Sequence, residues 1–137
     1  MGLPVKNMEI QSSIAFCGLI CRLCFLAAQC DGCKTANNRC ERNLSDEGCF
    51  QKSCCQQKGL DGCWQCSDLK DCTQGIYSQG EYSKIKAFAL CIQQDGMDAF
   101  AADVMRNEAA GLSVEKGRDY DGKLIPVVLR LLRTGNE

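Results

Sequence analysis

Cysteine is the chemistry this chain offers: 13 in 137 residues, with no histidine beside them. All but one fall in a single stretch, as Cys17, Cys21, Cys24, Cys30, Cys33, Cys40, Cys49, Cys54, Cys55, Cys63, Cys66 and Cys72. Cys21 to Cys24, Cys30 to Cys33 and Cys63 to Cys66 are C-x2-C intervals, which let two thiolates reach one metal ion from a tight turn. Between Lys34 and Gly75 the only large apolar residues are Leu44, Phe50, Leu60, Trp64 and Leu69. So few side chains cannot offset the entropy of ordering that much backbone. The expectation is that cysteines hold this stretch together.

Metal is expected rather than disulfides. A disulfide scaffold calls for a secretory leader and an even count, whereas the count here is odd. Met1 to Phe16 is interrupted by Asn7, Glu9, Gln11, Ser12 and Ser13 and offers no apolar leader core. No apolar run approaches the roughly 18 residues that span a membrane. Met1-Gly2 is followed by Lys6 where a myristoylation signal wants Ser or Thr. These features point to a reducing, cytoplasmic setting, in which clustered thiols bind metal.

Charge narrows the partners. The chain has 16 basic and 17 acidic residues, spread evenly, so no segment could neutralise a phosphate backbone. Nucleic acid and membrane are not expected as partners; an unknown protein partner is compatible with the charge pattern. No catalytic set is legible either. There is no histidine base, no Gly-rich phosphate loop after a strand and no carboxylate pair in an apolar setting. Cys63-Trp64-Gln65-Cys66 invites a thiol-redox reading, but neither flank supplies the apolar strand of a βαβ unit.

The elements that position the thiols follow from periodicity. Residues 1–13 read as an arm, 14–75 as the cysteine-rich metal-binding module and 76–137 as a helical C-terminal part. Cys17, Cys21 and Cys24 stand at i, i+4, i+7, one face if the segment is helical. Gly18 favours the alternative, a turn leading into a helix from about Leu19. Cys49 and Cys54 bracket a short helical turn. Cys54 and Cys55, being adjacent, are poorly placed to serve one tetrahedral ion together. Ile85, Phe88, Ala89 and Ile92 repeat at helical spacing up to Asp95-Gly96. Met97, Phe100, Ala101, Val104 and Met105 repeat again towards Gly111. Leu124, Val127, Val128, Leu131 and Leu132 form a third stripe, opened by Pro126 and closed by Gly135. The fold expected is mainly α, with irregular, metal-stabilised cysteine-rich loops and a small helical C-terminal part.

The series Cys17-Gly18-Leu19, Cys21, Cys24, Cys30-x-Gly32-Cys33, Cys49-x4-Cys54, Lys58-Gly59, Cys63-x2-Cys66 and Cys72 resembles an uncharacterised cysteine-rich family. That family is the domain of unknown function 3795, found largely in anaerobic bacteria and archaea. The resemblance covers about residues 14–75 and departs from the pattern at Asp71, where the family commonly has Pro. It implies metal ligation, with zinc expected, by Cys17, Cys21, Cys24, Cys30, Cys33, Cys49, Cys54, Cys63, Cys66 and Cys72. Cys40, Cys55 and Cys91 fall outside it and read as spare thiols.

With no histidine, coordination by four cysteines is expected, in two zinc sites. A third ion would need the two remaining matched cysteines to join a site through bridging sulfurs. Each four-thiolate site carries about −2, which Arg22, Lys34, Arg39, Arg42, Lys52, Lys58 and Lys70 are near enough in sequence to offset. The function expected is a small zinc-binding interaction or regulatory module. The alternative is an iron–sulfur electron carrier or a redox or metal sensor, because Cys17-x3-Cys21-x2-Cys24 has the spacing of the [4Fe–4S] motif in radical enzymes that use S-adenosylmethionine.

Overall fold

The computed structural model describes residue 11 and residues 14–18, 20, 50–114 and 119–136. Cys21, Cys24, Cys30, Cys33, Cys40 and Cys49 lie outside the described residues, as does the expected arm apart from Gln11. The described chain is mainly helical, with irregular loops and short 3-10 turns and no strand among the described residues. Helix α1 spans Phe50–Lys58. It is followed by 3-10 turns at Cys63–Gln65, Leu69–Asp71 and Gly75–Tyr82, then α2 (Lys84–Asp95), α3 (Met97–Ala109) and α4 (Ile125–Thr134). Each of the three apolar stripes in the second half of the sequence has become a helix.

Local chemistry sets the helix ends. Ser83 caps α2, its Oγ accepting from the Lys86 amide at 3.1 Å. Gly96, at φ 95°, ends α2 and at once begins α3, so a single residue makes the corner. Pro126 sits in the first turn of α4, where its missing N–H costs nothing. Gly135 closes that helix in the left-handed conformation, its amide returning to the Leu131 carbonyl at 2.8 Å.

Helix α2 is buried on all sides from Lys84 to Ile92, which is the mark of a central element rather than a surface one. One side carries Ala87, Phe88, Cys91 and Ile92 into a core with Phe100, Val104, Tyr120, Val128 and Leu132. There Phe88 meets Tyr120 edge-on, with ring centroids 5.7 Å apart. The other side carries Ile85, Ala89 and Leu90 against Cys17, Cys55, Cys63, Leu69 and Tyr77. Ile14 and Ile20, which form an isolated antiparallel bridge, pack into the first core although they belong to the cysteine-rich half.

Polar groups in the first core are satisfied in pairs. Asn107, 1% exposed, donates to the Tyr120 hydroxyl at 2.7 Å and to the carbonyls of Leu131 and Leu132 at the end of α4. The Leu132 carbonyl belongs to the last turn, where helical donors run out, while the Leu131 carbonyl receives Asn107 in addition to the Gly135 amide. Arg133 of α4 grips Asp95 of α2 at 2.8 Å. Lys84, nearly buried, pairs with Asp121 and donates to the Val114 carbonyl.

Gly18 marks the tightest approach. Its φ is 105°, and an added Cβ would lie 3.0 Å from the Ala89 nitrogen and 3.2 Å from the Ile85 oxygen, both backbone atoms of α2. Gly18→Ala should therefore combine backbone strain with a clash that no side chain can relieve, and cost about 2 kcal/mol or more. Gly59→Ala has a comparable φ of 70° but nothing within 4 Å, and should cost about 1 kcal/mol. Denaturant unfolding followed by helical circular dichroism compares the two.

A second outcome follows from Tyr120. Burial pushes its phenol up to about 12, against about 10 in an unfolded chain. A group raised on folding stabilises below its unfolded value and loses that contribution as pH climbs to the folded one. Wild-type stability should therefore decline from pH 10 towards 12. Tyr120→Phe should lack that part of the slope, a difference of about 1 kcal/mol at pH 11. Parallel profiles would overturn the assignment.

Candidate metal centre

The second core holds the thiols. Adjacent residues on a helix point about 100° apart, so Cys54 and Cys55 of α1 face different ways. Cys55 is 1% exposed and its Sγ lies 3.7 Å from Cys63 Sγ. Cys54 is half-buried and turns towards Lys58, four residues on. Cys63 and Cys66 flank a 3-10 turn in which the Cys66 amide donates to the Cys63 carbonyl at 3.0 Å. Gly62 just before it is extended, at φ −175°. A Cβ there would fall 2.2 Å from the Trp64 ring, which would have to swing aside.

These residues surround one cavity of about 300 Å³, lined by Cys54, Cys55, Cys63, Cys66, Cys72 and Tyr77 among others. Cys17 stands in the same core, and its sulfur acts with those of Cys63 and Cys55 on the Tyr77 hydroxyl. Of the ten cysteines expected as ligands, Cys17, Cys54, Cys63, Cys66 and Cys72 are thus gathered in one region. The other five lie outside the described residues. Cys55, read from sequence as a spare, is at the centre of the group.

The loops that carry these thiols are held by side chains from later in the chain. Tyr77 donates its hydroxyl to the Cys17 carbonyl at 2.6 Å. Gln93 of α2 reaches the carbonyls of Trp64 at 3.2 Å and Cys66 at 3.0 Å. Lys86, also on α2 and buried, donates to the Cys72 carbonyl at 2.8 Å. The Cys63 amide donates to the Phe16 carbonyl at 2.8 Å, which ties the Cys63–Cys66 turn to the chain beside Cys17. Sequence reasoning named none of Tyr77, Lys86 and Gln93. Their one signal was a polar residue inside or beside an apolar stripe.

The electrostatics favour thiolate at Cys63. Cys55 and Cys63 share a hydrogen bond that lowers Cys63 and, with burial, raises Cys55, so the pair keeps one proton on Cys55 and presents sulfur charge at Cys63. Burial first, then the Cys17 sulfur, pushes the Tyr77 phenol up, and it remains a donor. The Lys58 ammonium, 3.5 Å from Cys66 Sγ, is stabilised by that contact and then by Cys54. Such a set of thiols on one cavity suits a soft or borderline metal ion.

A second candidate group sits between the helices of the first core. Cys91, Asp95 and Asp103 bring three ligand atoms within 4.8 Å of one another. Cys91 is fully buried, its thiol pushed up to about 12 chiefly by burial. Asp95 is gripped by Arg133 at 2.8 and 3.2 Å, and Asp103 faces Arg106 at 3.3 Å. An ion there would compete with Arg133 and Arg106 for the two carboxylates, whereas the cysteine-lined cavity offers five thiols, of which no three have their sulfurs within 4.8 Å of one another.

No helix among the described residues is long and apolar enough to cross a membrane. No family model matches the chain, and no curated protein or solved structure matches it either.

Proposed function

We propose that the chain is a zinc-binding protein whose cysteine-rich stretch folds around its ions, each held by four thiolates. The observation that carries this is the Cys55–Cys63 pair on a cavity shared with Cys54, Cys66 and Cys72. Two sulfurs on one tetrahedral ion with bonds of about 2.3 Å stand roughly 3.8 Å apart. The pair is at 3.7 Å before any ion is considered. In a [4Fe–4S] cluster each cysteine binds a different iron, which sets the sulfurs wider apart. Cys55 then joins the ligand set in this region. The cysteine order shared with the 3795 family extends the set to Cys21, Cys24, Cys30, Cys33 and Cys49, enough for a second ion. An interaction or regulatory module in the cytoplasm is the role that fits, since structural zinc fixes a surface and does no chemistry of its own.

One observation favours the iron–sulfur alternative. Leu60, Leu69 and Tyr77 line the cavity, and a cluster needs such an apolar surround. The cavity is also larger than a single ion requires. Metal analysis decides between the two.

Protein purified without oxygen should be colourless and hold two zinc ions. Cys55→Ser and Cys63→Ser should each lose about one equivalent, and Cys91→Ala should keep both. A strong chelator should remove the ions and the amide-exchange protection of α1 and the turns through Cys72, while α2 to α4 keep most of theirs. The scale of the effect is set by structural zinc sites, which contribute on the order of 10 kcal/mol. Stoichiometric iron with acid-labile sulfide would overturn the zinc reading. Full zinc content in Cys55→Ser would remove Cys55 from the ligand set.

A further inference from the structure

We propose that Lys58 is the outer cation of the thiolate site, a positioning residue that donates to the sulfurs of Cys54 and Cys66 and sets how tightly the ion is held. The proposal rests on the metal reading above. Lys58 is the last residue of α1 and follows Cys54 by four positions, which puts both on one helix face. Its Nζ lies 3.5 Å from Cys66 Sγ, so the end of α1 that carries Cys54 is tied to the Cys63–Cys66 turn. Among the described residues that line the cavity it is the sole Lys or Arg, while Asp68 and Asp71 add negative charge.

The physical need is plain. Four thiolates on a divalent ion leave a net charge of about −2, and the two carboxylates on the cavity wall raise the local negative potential further. An N–H donated to a metal-bound sulfur withdraws electron density from it and holds the side chain in place. The ammonium is exposed, so its effect at a distance is screened and its contribution comes through the direct contacts. Of the seven cations near the cysteines in sequence, Lys58 and Lys70 are the two whose side chains are described, and of the two Lys58 alone lines the cavity.

The test measures zinc affinity of the full chain by competition with a chelator. Lys58→Met should bind about tenfold more weakly, the usual scale for loss of an outer hydrogen bond to a ligand. Lys58→Arg should recover most of the affinity, and Lys58→Gln, a neutral donor of similar reach, should fall between. Lys70→Met removes another exposed cation, beside Leu69 and Asp71, and should leave affinity unchanged. In cobalt-substituted protein the sulfur-to-metal charge-transfer band of Lys58→Met should move to longer wavelength, because a thiolate without its donor gives up an electron more readily. A purely structural effect on α1 would leave that band in place. Wild-type affinity with an unshifted band in Lys58→Met would overturn the role of Lys58 and leave the metal site standing. Equal weakening in Lys70→Met would overturn it in favour of general charge. Failure of the wild-type chain to bind zinc or cobalt would overturn the site and this role together.

Discussion

Burial of α2 on all of its sides is the constraint on which the rest of the structure depends. A helix of twelve residues ordinarily gives one stripe to a core and one to water. Here Phe88, Cys91 and Ile92 serve one core while Ile85, Ala89 and Leu90 serve another. Small residues make this workable. Ala87 and Ala89 leave room on opposite sides, and Gly18 lets a turn of the cysteine-rich half rest directly on the α2 backbone. Each core is thin alone; sharing a wall lets both reach full burial.

Where α2 meets the thiols, its polar side chains act on backbone rather than on sulfur. Lys86 and Gln93 reach the carbonyls of Cys72 and Cys66, and Tyr77 reaches that of Cys17. A buried carbonyl left without a donor is costly, so these contacts help hold the loops in place. This division of labour, backbone held by the helical half and charge held at the sulfurs, resembles the outer support that metal ligands generally need.

Much of the helical half was legible in the sequence. The stripes from Ile85, Met97 and Leu124 each became a helix, ended where Gly96, Gly111 and Gly135 said they would, because caps and periodicity are local signals. The cysteine-rich half was less so, for a reason that can be stated. Counting apolar residues between Lys34 and Gly75 measures only what that stretch brings to its own core. The cover over Cys55, Cys63 and Leu69 comes from Tyr77, Ile85, Ala89 and Leu90, which no local count includes. The place of Cys55 in the fold was hidden on similar grounds. Its partner is Cys63, eight residues away across a turn, and nothing in the spacing marks the two as neighbours. Among seven nearby cations, the i, i+4 relation of Cys54 and Lys58 was the one legible clue to Lys58.

The contact between Tyr77 and Cys17 spans 60 residues, and Gly18 rests on a helix that begins later still. On a ribosome the thiols emerge first and their cover last. Until residues 77–90 are made, Cys17, Cys55 and Cys63 have neither the wall of α2 nor the hydroxyl of Tyr77. Contacts so far apart in sequence close slowly as well. The chain therefore carries open thiols through much of its synthesis, and whatever binds or attacks sulfur can reach them before α2 closes over them.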